Sequence, residues 1–450
     1  MISDLKYSFS QLSISRSLHF ILQLTMVCFG LVSLSFNVSG LRLHLYVGVS
    51  FFFILGVFFY FLKVKALRRS SISKIESILA LIAILFIVDF LSFFGAISTE
   101  NSLILTQFTK GLFQSFFVTL FLICFLIFNA VNQFKYAENY LFILCSMVFL
   151  SCIYQVMYIV FLLNYGINID DLVWPILSFG SYVPPETLGQ IGGKALGFEF
   201  VRHGGFAINP NLLVTQLICV IPVVLLLTIW DSRKLVFLLV IFVICMLLTL
   251  SRSAFLALAM ISILIPIVNW RLFSRYFYRI LLFLFVAICT VFIIDNSFDK
   301  GFISGMFELS MLRSSGESYF DTSRYHLLLA GIDMFSSSPV LGSGLDSSPV
   351  LLLDYPITSV TGPSLHNYWI QLFVEIGVLG IFRVLFYGYM IFECYKINNI
   401  YSKAMIVTIF CLLINGMTNN ALAHPFMQLF IMCLYCCALR KKLKNSEIRI

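Results

Sequence analysis

Apolar residues run along this chain in long uninterrupted stretches, broken by short polar punctuation. A helix crossing a bilayer needs about 20 consecutive apolar residues. Measured against that length, the runs predict twelve helices, at approximately 18–36, 45–62, 75–97, 112–131, 140–163, 212–230, 235–250, 254–268, 280–294, 368–392, 403–420 and 425–439. The seventh, eighth and ninth are the shortest. An even number places both termini on one side. Two intervals break the rhythm with long polar stretches, approximately 164–211 and 295–367. No internal repeat and no low-complexity linker divides the chain, so residues 1–450 read as a single integral membrane domain.

Composition agrees with the pattern. The chain is 60% hydrophobic and only 11% charged, with a mean hydropathy of +0.99. That excludes a soluble globular domain and predicts an all-α polytopic membrane protein. The net charge of +8 invites a nucleic-acid partner, but its distribution removes that reading. Twenty Lys and Arg fall on the side that holds the termini and eight on the other. Positive residues gather in cytoplasmic loops, so both termini are expected in the cytoplasm and both long polar loops outside. The twelve cysteines all lie in or at the ends of apolar runs, which indicates neither a loop disulfide nor a cysteine metal site. The first apolar run has no small-residue cleavage site after it and reads as a retained helix.

Four outward stretches carry candidate chemistry. Arg202 lies in RHGGFAINPN, where Gly204 and Gly205 permit a close backbone approach and Pro210 and Asn211 open a helix. Arg252 lies in TLSRSA between two apolar runs, with serines on either side to share an anion. Its plain alternative is a snorkelling interfacial arginine. Asp321–Ser323 are placed to cap a helix beginning near Arg324, with Leu327, Leu328, Ile332 and Phe335 as its apolar face and Pro339 and Gly342 after its end. His366, in SLHNYWIQLFVEIGVLG, opens the tenth run and can accept a proton near neutral pH. Gly377 and Gly380 read as small packing residues, and His203 as an interfacial histidine. Guanidinium groups fit phosphate oxygens, so the arginines suit a phosphate or pyrophosphate ligand. Scattered outer His and acidic residues indicate no metal site. Asp89 and Arg383, inside apolar runs, are polar groups of either structural or functional use.

In this order, RHGGFAINPN (202–211), TLSRSA (249–254), SRYHLLLAGIDMFSSSPVLGSGL (323–345) and HN followed by nine residues and GVLG (366–380) resemble the O-antigen ligase/polymerase superfamily of bacterial envelope glycan assembly. The resemblance implies a GT-C-like membrane glycosyltransferase of the bacterial inner membrane with a periplasmic active site. It implies no metal and no cofactor, and an undecaprenyl-pyrophosphate-linked oligosaccharide as donor. Arg202, Arg252 and Arg324 would hold the pyrophosphate, with Arg313 added from the same loop. His366 would position or deprotonate the acceptor hydroxyl, and transfer would invert the anomeric centre. A chain-length regulator protein is an implied partner alongside the lipid bilayer. The RHGGF and NPN blocks favour a polymerase joining repeat units over a ligase acting on lipid A-core. A lipid-linked oligosaccharide flippase is the alternative from another class. The stretch from Asp346 to Pro363 matches no pattern.

Overall fold

The computed structural model of the chain describes residues 2–31, 35–38, 41–63, 72–177, 194–195, 198–199, 203–207, 209–231, 233–249, 251–270, 319–355, 365–419 and 424–447. Helices dominate them. They occupy Ile2–Gly30, Leu45–Lys63, Glu76–Leu91, Ser102–Val131, Ala137–Tyr165, Pro210–Asp231, Arg233–Leu248, Arg252–Val268, Tyr319–Ser337, Ile381–Ile397, Ile400–Asn415 and Pro425–Glu447, with shorter helices at Phe93–Ser98, Asp170–Leu177, Ser348–Leu351 and Tyr368–Ile376.

Eleven of the twelve apolar runs coincide with helices. The twelfth, 280–294, lies outside the described residues. Among the described residues, five helical stretches are long and apolar enough to cross a membrane, namely Glu76–Ser98, Ser102–Val131, Ala137–Leu162, Pro210–Leu227 and Tyr368–Ile397. Shorter apolar helices at Leu45–Tyr60, Phe237–Leu248, Ser253–Val268 and Ile400–Asn415 complete the apolar set. Phe51, Phe52, Phe58 and Phe59 point outward from the second helix, an arrangement that suits hydrocarbon rather than water as the surrounding solvent.

Two expectations need correction. The first run was placed at 18–36, but its helix ends at Gly30 and Ser35–Val38 pairs antiparallel with Leu41–His44. A second short pair joins Lys194–Ala195 to Phe198–Glu199. Strict all-α therefore becomes helical with two small β-pairs, both in connections between apolar runs.

The Pro210–Asp231 helix is the centre of the bundle. Its apolar window is 78% buried, against 33–44% for the other long candidate spans. It packs on Ala137–Tyr165, Arg233–Leu248, Arg252–Val268, Ile400–Asn415 and Pro425–Glu447. A helix surrounded on all sides has no lipid face, and its Thr215 hydroxyl is bonded by Asn415 from a neighbouring helix. Its N-terminal turn therefore reads directly onto the functional end of the molecule.

Candidate active site

Polar residues at one end of the bundle stitch three separate stretches together. Pro210 is the first residue of the central helix, where its missing N–H costs nothing. Before it, the Asn209 side chain accepts from the Asn211 N–H at 2.9 Å. Ser251 donates its hydroxyl to Asn211 Oδ1 at 2.9 Å and lies 2.7 Å from the Ser253 hydroxyl. Asn419 Nδ2 donates to the Asn211 carbonyl at 3.3 Å, and Asn415 Nδ2 to Thr215 Oγ1 at 3.1 Å. The NPN block, the SRS turn and the 415–419 turn are thus one hydrogen-bonded unit. Arg252 is the first residue of the Arg252–Val268 helix, between the two serines. Ser251, at the N-cap, makes no capping bond to the backbone N–H groups of that helix, and its hydroxyl serves Asn211 and Ser253 instead. Helix N-termini attract anions through their N–H groups and dipole, so the turn suits an anionic ligand.

The same 413–419 turn receives the histidine stretch. Tyr368 N–H donates to the Gly416 carbonyl at 2.8 Å, and the Trp369 indole N–H to the Leu413 carbonyl at 3.0 Å. Asn367 caps the Tyr368–Ile376 helix by accepting from Trp369 N and Ile370 N at 3.0 and 3.2 Å. His366 precedes that cap, half-buried and in the left-handed region with φ 51°. Glu375, nine residues on, is engaged on another side of the helix. That carboxylate accepts instead from Ser348 at 2.6 Å and Gln371 at 2.9 Å.

Glycines, rather than amides, hold the next piece. The loop after the Tyr319–Ser337 helix slots against the histidine helix backbone to backbone. Ser343 and Gly344 N–H donate to the Val374 and Glu375 carbonyls at 2.9 and 3.0 Å, and Val378 N–H to the Pro339 carbonyl at 2.8 Å. Gly342, Gly344 and Gly377 all have positive φ. A Cβ on Gly342 would overlap the Glu375 backbone, and one on Gly377 the Val340 carbonyl. On the loop's other side, Leu345 N–H donates to the Ser92 hydroxyl at 3.3 Å, and a Cβ on Gly95 would overlap the Gly342 carbonyl. Gly377 is therefore more than a generic small packing residue. GSG and EIG are complementary halves of one contact.

The helix expected to begin near Arg324 begins at Tyr319, which puts Arg324 in its second turn. Its buried face is Leu327, Ala330 and Met334, packed with Leu365 and Val374. Leu328 and Ile332, expected on that face, are exposed. Arg202 and Arg313 lie outside the described residues, as do the side chains of Arg252 and Arg324.

His203, next to Arg202 in sequence, is buried rather than interfacial, with 3% of its surface exposed. It stacks on Tyr158 at 3.9 Å between ring centroids. Gly205 N–H donates to His203 Nδ1 at 3.0 Å, which requires a lone pair there and leaves the proton on Nε2, 3.1 Å from Asp170 Oδ2. Tyr154 donates to the other Asp170 oxygen at 2.5 Å. Gly205 has φ 60°, and a Cβ there would overlap the Ser151 carbonyl. The close approach expected of the GG pair is to the Ala137–Tyr165 helix.

Residues 237–385 match the family model of O-antigen ligase. The match covers about a third of the chain and takes in its SRS turn, glycine loop and histidine helix, a likeness that supports the O-antigen ligase/polymerase superfamily, a family of glycosyltransferase-like enzymes. A comparison with curated proteins finds no match. Two contributors to the site flank the O-antigen ligase stretch: Asn209–Asn211 before it and Asn415–Asn419 after it. The second of these was not singled out in the sequence. Its only signal is the run NGMTNN between two apolar segments.

Proposed function

We propose that the chain is an O-antigen polymerase, joining oligosaccharide units carried on undecaprenyl pyrophosphate at the periplasmic face of the inner membrane. The observation that carries the reading is the convergence of the NPN, SRS and HN stretches on the 413–419 turn. It gathers the neighbours of Arg202, Arg252 and His366 at one end of the bundle, as transfer between two lipid-linked substrates requires. In this reading Arg202, Arg252 and Arg324, with Arg313 from the same loop, hold the pyrophosphate and stabilise the charge of the departing group. His366 takes the proton from the acceptor hydroxyl, which displaces the pyrophosphate in one inverting step without a metal.

Transfer to lipid A-core is the second reading, favoured by the family model's own description as O-antigen ligase. One experiment separates the two. In cells carrying Arg324→Ala or His366→Ala, a polymerase defect leaves envelope glycan with a single repeat unit on core. A ligase defect leaves long glycan on the carrier and none on core. Long core-linked chains in both variants would remove these residues from the mechanism, and carrier-linked units trapped on the cytoplasmic face would point to a flippase.

A further inference from the structure

Directly beside the histidine helix lies a cavity of about 180 Å³, enclosed by the Glu76–Leu91, Ser102–Val131, Tyr368–Ile376, Ile381–Ile397 and Pro425–Glu447 helices and the Leu345–Asp346 loop. Such a volume holds on the order of ten waters, room for one sugar ring rather than a chain. Its lining is mostly apolar, but it carries polar groups that lipid contact does not require. Arg383 reaches across it to Asp89, with N–O distances of 2.6 and 2.8 Å, and Ser115 donates to the same carboxylate at 2.5 Å. That pair is neutral overall, so the remaining carboxylates, Asp346 and Glu375, make the cavity anionic when ionised. Burial pushes the Asp346 carboxyl up, which favours a protonated donor there.

Two further observations point to a ligand. Tyr368 is 97% buried and lines the cavity, and its hydroxyl has no hydrogen-bond partner of good geometry, only the Arg383 guanidinium nearby. Buried polar groups without partners are costly, and a functional pocket is where they are tolerated. Asp346 also sits at φ 62°, a strained conformation for a residue with a side chain, and its carboxyl packs on Gly111. The cavity adjoins the candidate active site through Tyr368, whose N–H is bonded to Gly416, and through Pro425.

We infer that this cavity is the subsite for a neutral, hydroxyl-rich sugar ring of the acceptor. The inference rests on the glycosyltransferase reading and divides the substrates by charge. The pyrophosphate finds no free cation in the cavity, where Arg383 is already paired with Asp89, and stays on the arginine side. The hydroxyls meet Asp346, Glu375, Tyr368 and the flanking glutamines Gln114, Gln371 and Gln428. Carboxylates and amides accept and donate to vicinal hydroxyls without needing opposite charge.

Gly111→Ala tests it with little disturbance elsewhere. The added methyl would lie 3.1 Å from the Asp346 carboxylate and narrow the cavity without removing a hydrogen bond. Saturation-transfer NMR on the full chain in nanodiscs, with free hexoses and uronic acids as probes, reads the subsite without any transfer reaction. The wild type is expected to bind neutral hexoses and not uronic acids. Gly111→Ala, verified as folded by its thermal transition, is expected to weaken hexose binding tenfold or more. Asp346→Asn is the second variant and should weaken hexose binding without admitting uronic acids. Equal hexose signals in wild type and both variants, or stronger binding of uronic acids than of hexoses, would overturn the inference. Undecaprenyl pyrophosphate binding, measured on the same samples, reports on the glycosyltransferase reading separately. It should be unchanged in Gly111→Ala whatever the sugar result.

Discussion

Two regions of the bundle do the same job by different physics. Asn209–Asn211, Ser251–Ser253 and Asn415–Asn419 are joined through side-chain amides and hydroxyls at 2.7–3.3 Å. The Pro339–Asp346 loop and the histidine helix are joined through backbone bonds, over glycines that leave no room for a Cβ. The first kind of junction tolerates exchange of one polar group for another and lets its arginine-bearing turn adjust. The second is rigid, because its bonds run between backbone groups and its glycines leave no room for a Cβ. A transferase that must admit two bulky lipid-linked substrates gains from having one wall fixed and the other adjustable.

Substitutions can break that contrast. The largest loss is expected on the glycine side, from Asp89→Ala. It strands Arg383 within the bundle beside the helix that carries Ser92 and Gly95, and removing one partner of a buried pair costs about 3–5 kcal/mol. Thermal unfolding in detergent should show it, with glycan assembly lost in parallel. Next comes Gly377→Ala, where positive φ and the overlap with Val340 together should cost about 3 kcal/mol. On the amide side, Asn211→Ala removes one of the two partners of Ser251, leaving Ser253, and should cost only about 1 kcal/mol of stability. Glycan chain length should nevertheless fall sharply, measured by gel profile. The smallest effect is Asn367→Asp, which keeps an accepting oxygen at the helix cap and should stay within about 0.5 kcal/mol of wild type, while Asn367→Ala costs about 1. If Gly377→Ala proves as mild as Asn211→Ala, the fixed-wall half of the contrast is wrong.

Much of this was legible in the sequence, and the limits have physical causes. Apolar run length located the helices, because hydrocarbon imposes a length that sequence records directly. Pro210 as a helix start and the close approach at Gly205 followed from residue chemistry alone. The facing of Leu328 and Ile332 did not, since periodicity shows an apolar stripe without saying whether core or lipid covers it. Asn415 and Asn419 were passed over because their partners, Thr215 and Asn211, lie about two hundred residues away. The Asp89–Arg383 pair spans 294 residues and was equally invisible. His203 read as interfacial because nothing local announces Asp170 and Tyr158 around it.

The central claim is that these stretches form one site for glycosyl transfer with His366 as its base. Transfer between purified lipid-linked repeat units in proteoliposomes tests it most directly, comparing wild type with His366→Ala. The account predicts a rate at least about 100-fold lower in the variant, the usual scale for losing a general base, with undecaprenyl pyrophosphate binding retained. Transfer at the wild-type rate by a folded His366→Ala protein would contradict it.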